Sequence, residues 1–264
     1  MAFSSLAEID NYMKENICEF WEAVIREEAR DSQQPEMDIV NRMTQMYRAM
    51  KEADETYDDT LTSHSGLSGK NGKRMADYAA THKCMCGEFG GAVMARAIKM
   101  AESNACMKRI VAAPTAGSCG VVPAILITYE RMTNTSENDM VKALFVAAGI
   151  GDVIARRASI SGARGGCQAE IGASSAMAAG ALAWLKSGSS HLITQAAAMA
   201  LKSLLGLVCD PVAGLVEVPC VKRNASGAMN ALCAVDMALA GIESAIPADE
   251  VIAVSYTHLR AHET

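Results

Sequence analysis

Aromatic side chains are scarce here, at 5% of 264 residues, although 50% of the chain is hydrophobic. Ala, Gly and Met carry the apolar content. Side chains this small let helices approach closely and predict a tightly packed helical body. Positive charge is also short: 24 Lys and Arg against 30 Asp and Glu leave a net charge of −6. With no Lys/Arg-rich run either, a basic surface for nucleic acid is excluded. No segment approaches the roughly 18 uninterrupted apolar residues of a membrane span. The best candidate, 171–185, is rich in Ala, Gly and Ser and stops at Lys186. The opening residues, Met1 to Asp10, lack the basic start and apolar run of a secretory signal. These absences predict a soluble, cytoplasmic protein with no membrane partner.

Strand-like alternation is missing as well, and no internal repeat is present, so the expected class is mainly α. Apolar residues at Leu6, Ile9, Met13, Ile17, Phe20, Trp21, Val24 and Ile25 have helical spacing and predict one helix over 5–30, broken before Pro35. Further helices are expected over 37–53, 89–106, 121–131, 139–157, 171–186, 192–205 and 225–240, with a short extended piece at 110–113. Turns are expected at 133–138 and 187–190, and a Gly/Ser loop at 63–72. The chemistry is then expected on loops between helices.

Nine cysteines are present, an odd count that argues against a disulfide framework and for a reducing compartment. No Cys-x-x-Cys pair of the zinc or redox type occurs, and Cys84-Met-Cys86 reads as incidental. Cys18, Cys106 and Cys233 fall in helical patterns and read as core, while Cys119 reads as a small buried hydrophobe. Three others stand out. Cys167 lies in Gly165-Gly-Cys-Gln-Ala-Glu170; Cys209 and Cys220 lie in Cys209-Asp-Pro-Val-Ala-Gly214 and Val218-Pro-Cys-Val-Lys-Arg-Asn224. Gly-rich backbone exposes N–H groups that favour a thiolate, and thiolates select iron–sulfur clusters, zinc or Cu(I). Three ligands rather than four leave a coordination position free. Pro211 and Pro219 stiffen the second segment and Gly214 permits a sharp turn within it. On spacing alone, three ordinary buried cysteines are an equally good reading.

These motifs, together with Ala158-Ser-Ile-Ser-Gly-Ala163, Pro114-Thr-Ala-Gly-Ser118 and Gly120-Val-Val-Pro123, resemble the iron–sulfur-dependent L-serine dehydratases, in their alpha subunit or catalytic half. The resemblance runs from about residue 60 to about 252. It implies an alpha-type catalytic domain over 61–252, preceded by an N-terminal helical segment over 1–60 that is read from apolar spacing alone. It also implies a [4Fe-4S] cluster held by Cys167, Cys209 and Cys220, and elimination of water from L-serine to give pyruvate and ammonia. Thr115, Ser118, Ser159, Ser161 and Gly162 are the expected substrate-binding residues, although each hydroxyl also suits a turn or helix cap. Lys222 and Arg223 would offset negative charge. Pyridoxal phosphate is excluded, because Lys70, Lys73, Lys202 and Lys222 sit in no motif for it.

The general base is not evident. His64 is the best internal candidate, whereas His82 and His191 read as surface residues at helix ends. Similar enzymes carry a Ser-His-Thr motif on a second domain or a beta subunit, and no Ser-His-Thr occurs here. A beta subunit is therefore an expected partner, and an oligomer the expected state. After Ile252 the family pattern gives way to 253–264, which contains His258 and His262 and is expected to be a non-family tail. Two readings from other classes stay open: a non-catalytic cysteine-ligated metal or redox protein, and a helical interaction subunit.

Overall fold

A computed structural model describes residues 3–261, with side chains through 258. His262 lies outside the described residues. Eleven α-helices and two short 3-10 turns make up the described residues, with no strand among them. None of these helices is long and apolar enough to cross a membrane.

The single helix expected over 5–30 is in fact two, α1 (Leu6–Asn16) and α2 (Phe20–Ser32). Ile17 takes a left-handed conformation, φ 48°, and ends the first. A capping box starts the second, in which the Glu19 N–H donates to the Glu22 carboxylate at 2.8 Å. α3 (Glu36–Glu55) follows, then α4 (Asn71–Ala79) and α5 (Gly87–Ala105). The piece at 110–113 forms no strand.

The centre of the molecule is α8 (Gly162–Ser187). It packs against α6 (Val121–Thr133), α7 (Glu137–Arg157), α9 (Ser190–Lys202) and α10 (Cys220–Leu239). Every residue from Ile171 to Trp184 is buried, so this stretch of the helix has no solvent face. Its small residues make that possible. At Gly180 even a methyl group would stand 2.1 Å from Ile150 Cδ1 of α7.

One apolar core runs from Leu6 to Ile252. The N-terminal helices are tied into it: Trp184 donates to Glu19 at 2.9 Å, and Ser190 donates to Asp10 at 2.6 Å. α11 (Ala248–Ala261) continues into the segment read as a tail, and its Asp249 accepts the Leu6 and Ala7 N–H groups that open α1, at 2.9 and 3.0 Å. A carboxylate at that end also suits the positive pole of the helix dipole. Cys233, read as core, is exposed on the outer face of α10.

Candidate active site

The three sequence-distant cysteines come together where α8 and α10 begin. Two of them are not on loops, contrary to the expectation. Cys167 lies inside the α8 span, directly after Gly166, whose φ of 53° and ψ of −147° break the helix. Cys220 is the first residue of α10. Only Cys209 sits on a connecting segment. The 3-10 turn Val212–Gly214 folds that segment back, with Gly214 at φ 71° and the Val212 N–H donating to the Val218 carbonyl at 3.1 Å. Cys167 Sγ stands 3.7 Å from Cys209 Sγ. Glycine at 166 is required for this approach, since a Cβ there would lie 2.4 Å from the Cys209 Cβ.

Cys167 and Cys220 are buried and Cys209 is exposed. The buried pair divides its protons unequally. The neighbouring Cys220 sulfur and burial both push the Cys167 thiol up. The neighbouring Cys167 thiol lowers that of Cys220 against the cost of burial. The Arg223 guanidinium lies beside Cys167 and favours its thiolate, while Nη1 donates to the Val208 carbonyl at 2.6 Å. Lys222 is exposed, with no bond from its ammonium to the thiols. Among the described residues, no three His, Cys, Asp or Glu side chains meet around one point as a single metal ion demands. Three soft sulfur donors from separate segments, one of them open to solvent, instead suit a larger iron–sulfur cluster.

The two expected substrate loops face one another next to these thiols, across a side chain to which the sequence reading gave no role. A methyl built on Gly117 would lie 2.7 Å from Glu170 Oε2, and one built on Gly162 would lie 2.7 Å from Glu170 Cδ. The expected hydroxyls are engaged locally. Thr115 Oγ1 and Ser118 Oγ are 3.1 Å apart, and Ser118 is fully buried. Ser159 Oγ accepts the Ser161 N–H at 3.1 Å. Asn224, fully buried, locks the first loop to the cysteines. Its Oδ1 accepts from the Gly120 N–H at 2.8 Å, and its Nδ2 donates to the Gly117 and Cys220 carbonyls at 2.8 and 3.0 Å. Gln168 ties Cys167 to its surroundings in the same way, accepting the Gly206 N–H at 2.7 Å and donating to the Ser255 carbonyl at 3.3 Å. Glu170 and Asn224 both stand inside the recognisable motifs, but their partners are distant in sequence and no spacing rule finds them.

His64 lies on a loop pinned at both ends by buried carboxylates. Glu102, 1% exposed, accepts from the Gly69, Asn71 and Gly72 N–H groups, the Asn71 side chain and the Tyr57 hydroxyl. Glu217, between Cys209 and Cys220, accepts from Ser63 Oγ at 2.6 Å and Ser65 Oγ at 2.9 Å. The loop is thereby attached to the cysteine segment, with the His64 side chain exposed at its surface. His82 is exposed too, as is His191, which pairs with Glu243 at 2.9 Å.

The serine dehydratase alpha chain family model matches residues 15–260. The chain belongs to that family. A "Probable L-serine dehydratase, alpha chain" of Bacillus subtilis is 42% identical over 254 residues, which cover 96% of this chain and 85% of the relative. The "L-serine dehydratase, alpha chain" of Peptoniphilus asaccharolyticus is 40% identical over 248 residues, covering 93% and 84%. "L-serine dehydratase 2" of Escherichia coli is 43% identical over 162 residues, which span 61% of this chain and 36% of that longer protein.

Proposed function

We propose that this chain is the alpha subunit of an L-serine dehydratase, a lyase that eliminates water from L-serine to yield, through aminoacrylate, pyruvate and ammonia. The observation that carries this reading is the meeting of Cys167, Cys209 and Cys220 beside the loops 115–118 and 159–162. Cys167, Cys209 and Cys220 would hold a [4Fe-4S] cluster. Such a cluster supplies a Lewis acid that makes hydroxide a tolerable leaving group. Arg223 offsets negative charge at the thiolates. The two glycine-containing loops would face an amino acid bound beside the cysteines, and Asn224 holds the first of these loops against Cys220.

His64, on its pinned loop, is the internal candidate for the base that takes the Cα proton. A beta subunit with its own histidine motif completes the site, and the assembly works in the reducing cytoplasm, in keeping with nine unpaired cysteines. The test is anaerobic reconstitution of the chain with iron and sulfide, alone and with a beta subunit. The expected result is a brown protein whose iron and sulfide survive gel filtration, with pyruvate formed from L-serine at full rate only when the beta subunit is present. A colourless zinc-loaded protein, or a reconstituted complex that forms no pyruvate, overturns the reading.

A further inference from the structure

We propose that Glu170 receives the ammonium group of the amino-acid substrate, an inference that rests on the lyase reading above. The carboxylate is seated between two backbones. A methyl on Gly117 would lie 2.7 and 2.9 Å from its Oε2 and Oε1, and a methyl on Gly162 would lie 2.8 Å from both oxygens. A side chain at either position would have to displace the Glu170 carboxylate, so both loops approach it through glycine.

The carboxylate is half-buried, and among the described residues neither oxygen accepts a hydrogen bond or pairs with a cation. Its neighbours are the thiols of Cys119 and Cys220. A carboxylate that faces sulfur rather than a cation is open to a positive group. The substrate brings one. An α-ammonium offers three N–H donors and a full charge, and bonds of this kind are among the strongest a carboxylate makes.

The placement also fits the reaction. Glu170 stands three residues after Cys167, on the same face of α8. A small amino acid can therefore set its ammonium on this carboxylate while its hydroxyl points towards the thiols. A 2-hydroxy acid of the same skeleton lacks the cation and offers Glu170 at most one neutral hydroxyl donor. The residue thus selects amino acids over hydroxy acids at this site.

The test uses the reconstituted holoenzyme with its beta subunit, the substrate L-serine and the competitor L-glycerate, which has a hydroxyl in place of the ammonium. In Glu170→Gln, KM for L-serine rises about 10- to 100-fold, as expected for loss of a charge-assisted bond. The inhibition constant for L-glycerate stays within about threefold, and iron and sulfide content stay at the wild-type level. An unchanged KM, or equal losses for serine and glycerate, overturns the assignment. Should Glu170→Gln not retain iron, the wild-type enzyme alone decides: L-serine must bind at least about tenfold more tightly than L-glycerate, and equal affinities overturn the proposal. A wild-type holoenzyme that makes no pyruvate sinks the lyase reading instead, and is distinguishable from either result.

Discussion

The interior of α8 and the segment that carries Cys209 are built on opposite terms. From Ile171 to Trp184 the helix is buried on every side and held by four neighbouring helices. The Cys209 segment exposes Val208, Val212 and Val216, at 65%, 47% and 47%. It is held by a few bonds, from Gly206 to Gln168, from Arg223 to the Val208 carbonyl, and from Ser63 and Ser65 to Glu217. Local stability follows the density of such contacts. Two sulfurs of the site are thus positioned by the core, through Gly166 and the start of α10, whereas the third is positioned by a lightly tethered strap.

The sharpest way to break this contrast is to substitute the thiols separately. Cys167→Ser, Cys209→Ser and Cys220→Ser should each abolish retention of iron and sulfide after reconstitution, and with it pyruvate formation. Their effects on the metal-free chain should diverge. Cys209→Ser changes an exposed position and should leave unfolding within about 0.5 kcal/mol of wild type. Cys167→Ser buries a hydroxyl in place of a thiol and should cost about 1–3 kcal/mol. Denaturant melts of the metal-free proteins read the difference. Equal losses would show that the strap is as firmly built as the core, and wild-type iron retention by Cys209→Ser would remove that cysteine from the ligand set.

Asn224→Ala probes the firm side of the contrast. The substitution leaves the Gly120 N–H and the Gly117 carbonyl without their partner in a fully buried position. Unsatisfied buried groups of this kind cost about 1–3 kcal/mol each, so a loss of about 3 kcal/mol and a fall in Tm on the order of 6–12 °C are expected. Calorimetry checks the stability. The KM for L-serine should rise with it, because the same bonds seat the loop that faces Glu170. A variant with wild-type Tm would show that the loop is held by other means.

The parts of the molecule that were legible in the sequence are those set by local pattern. Apolar spacing locates α3, and length and composition locate α6, α7 and α9 to within a few residues, while the expected 171–186 misses the start of α8 that carries Cys167; the motifs around Cys167, Cys209 and Cys220 single out thiols that the fold brings together. Contacts through space were not legible. The break between α1 and α2 depends on Ile17 in a left-handed conformation and on the Glu19–Glu22 capping box, features that apolar periodicity passes over. Helical pattern places Cys233 in the core, but in the fold its side chain is exposed. Glu170 lies in a motif that was read only for its cysteine, and its relation to Gly117 and Gly162 exists only after folding. The pattern leaves the serine and threonine hydroxyls open to substrate or to turns; in the fold Thr115 meets Ser118, and Ser159 accepts the Ser161 N–H.

The smallest expected effect concerns the tether between the strap and the His64 loop. Burial raises the Glu217 carboxyl, but hydroxyls of Ser63, Ser65 and Ser68 outweigh it and hold the group below its ordinary value of 4.5. A carboxylate lowered on folding stabilises the native state at pH values above 4.5, and that contribution disappears as pH falls through the folded value. Glu217→Gln mimics the protonated form. At neutral pH it should therefore cost about 1 kcal/mol, the scale of a hydrogen bond to a charged group partly replaced by a neutral one. The gap to wild type should then close on acidification below the ordinary carboxylate range. Paired melts from pH 7 down to about pH 3 measure it, and hydrogen exchange at the Ser63 and Ser68 amides locates it. If the two proteins stay equally far apart across that range, the tether does not depend on the Glu217 charge. If exchange at Ser63 and Ser68 does not accelerate in the variant, the His64 loop is held by Glu102 alone and the strap is freer than its contacts imply.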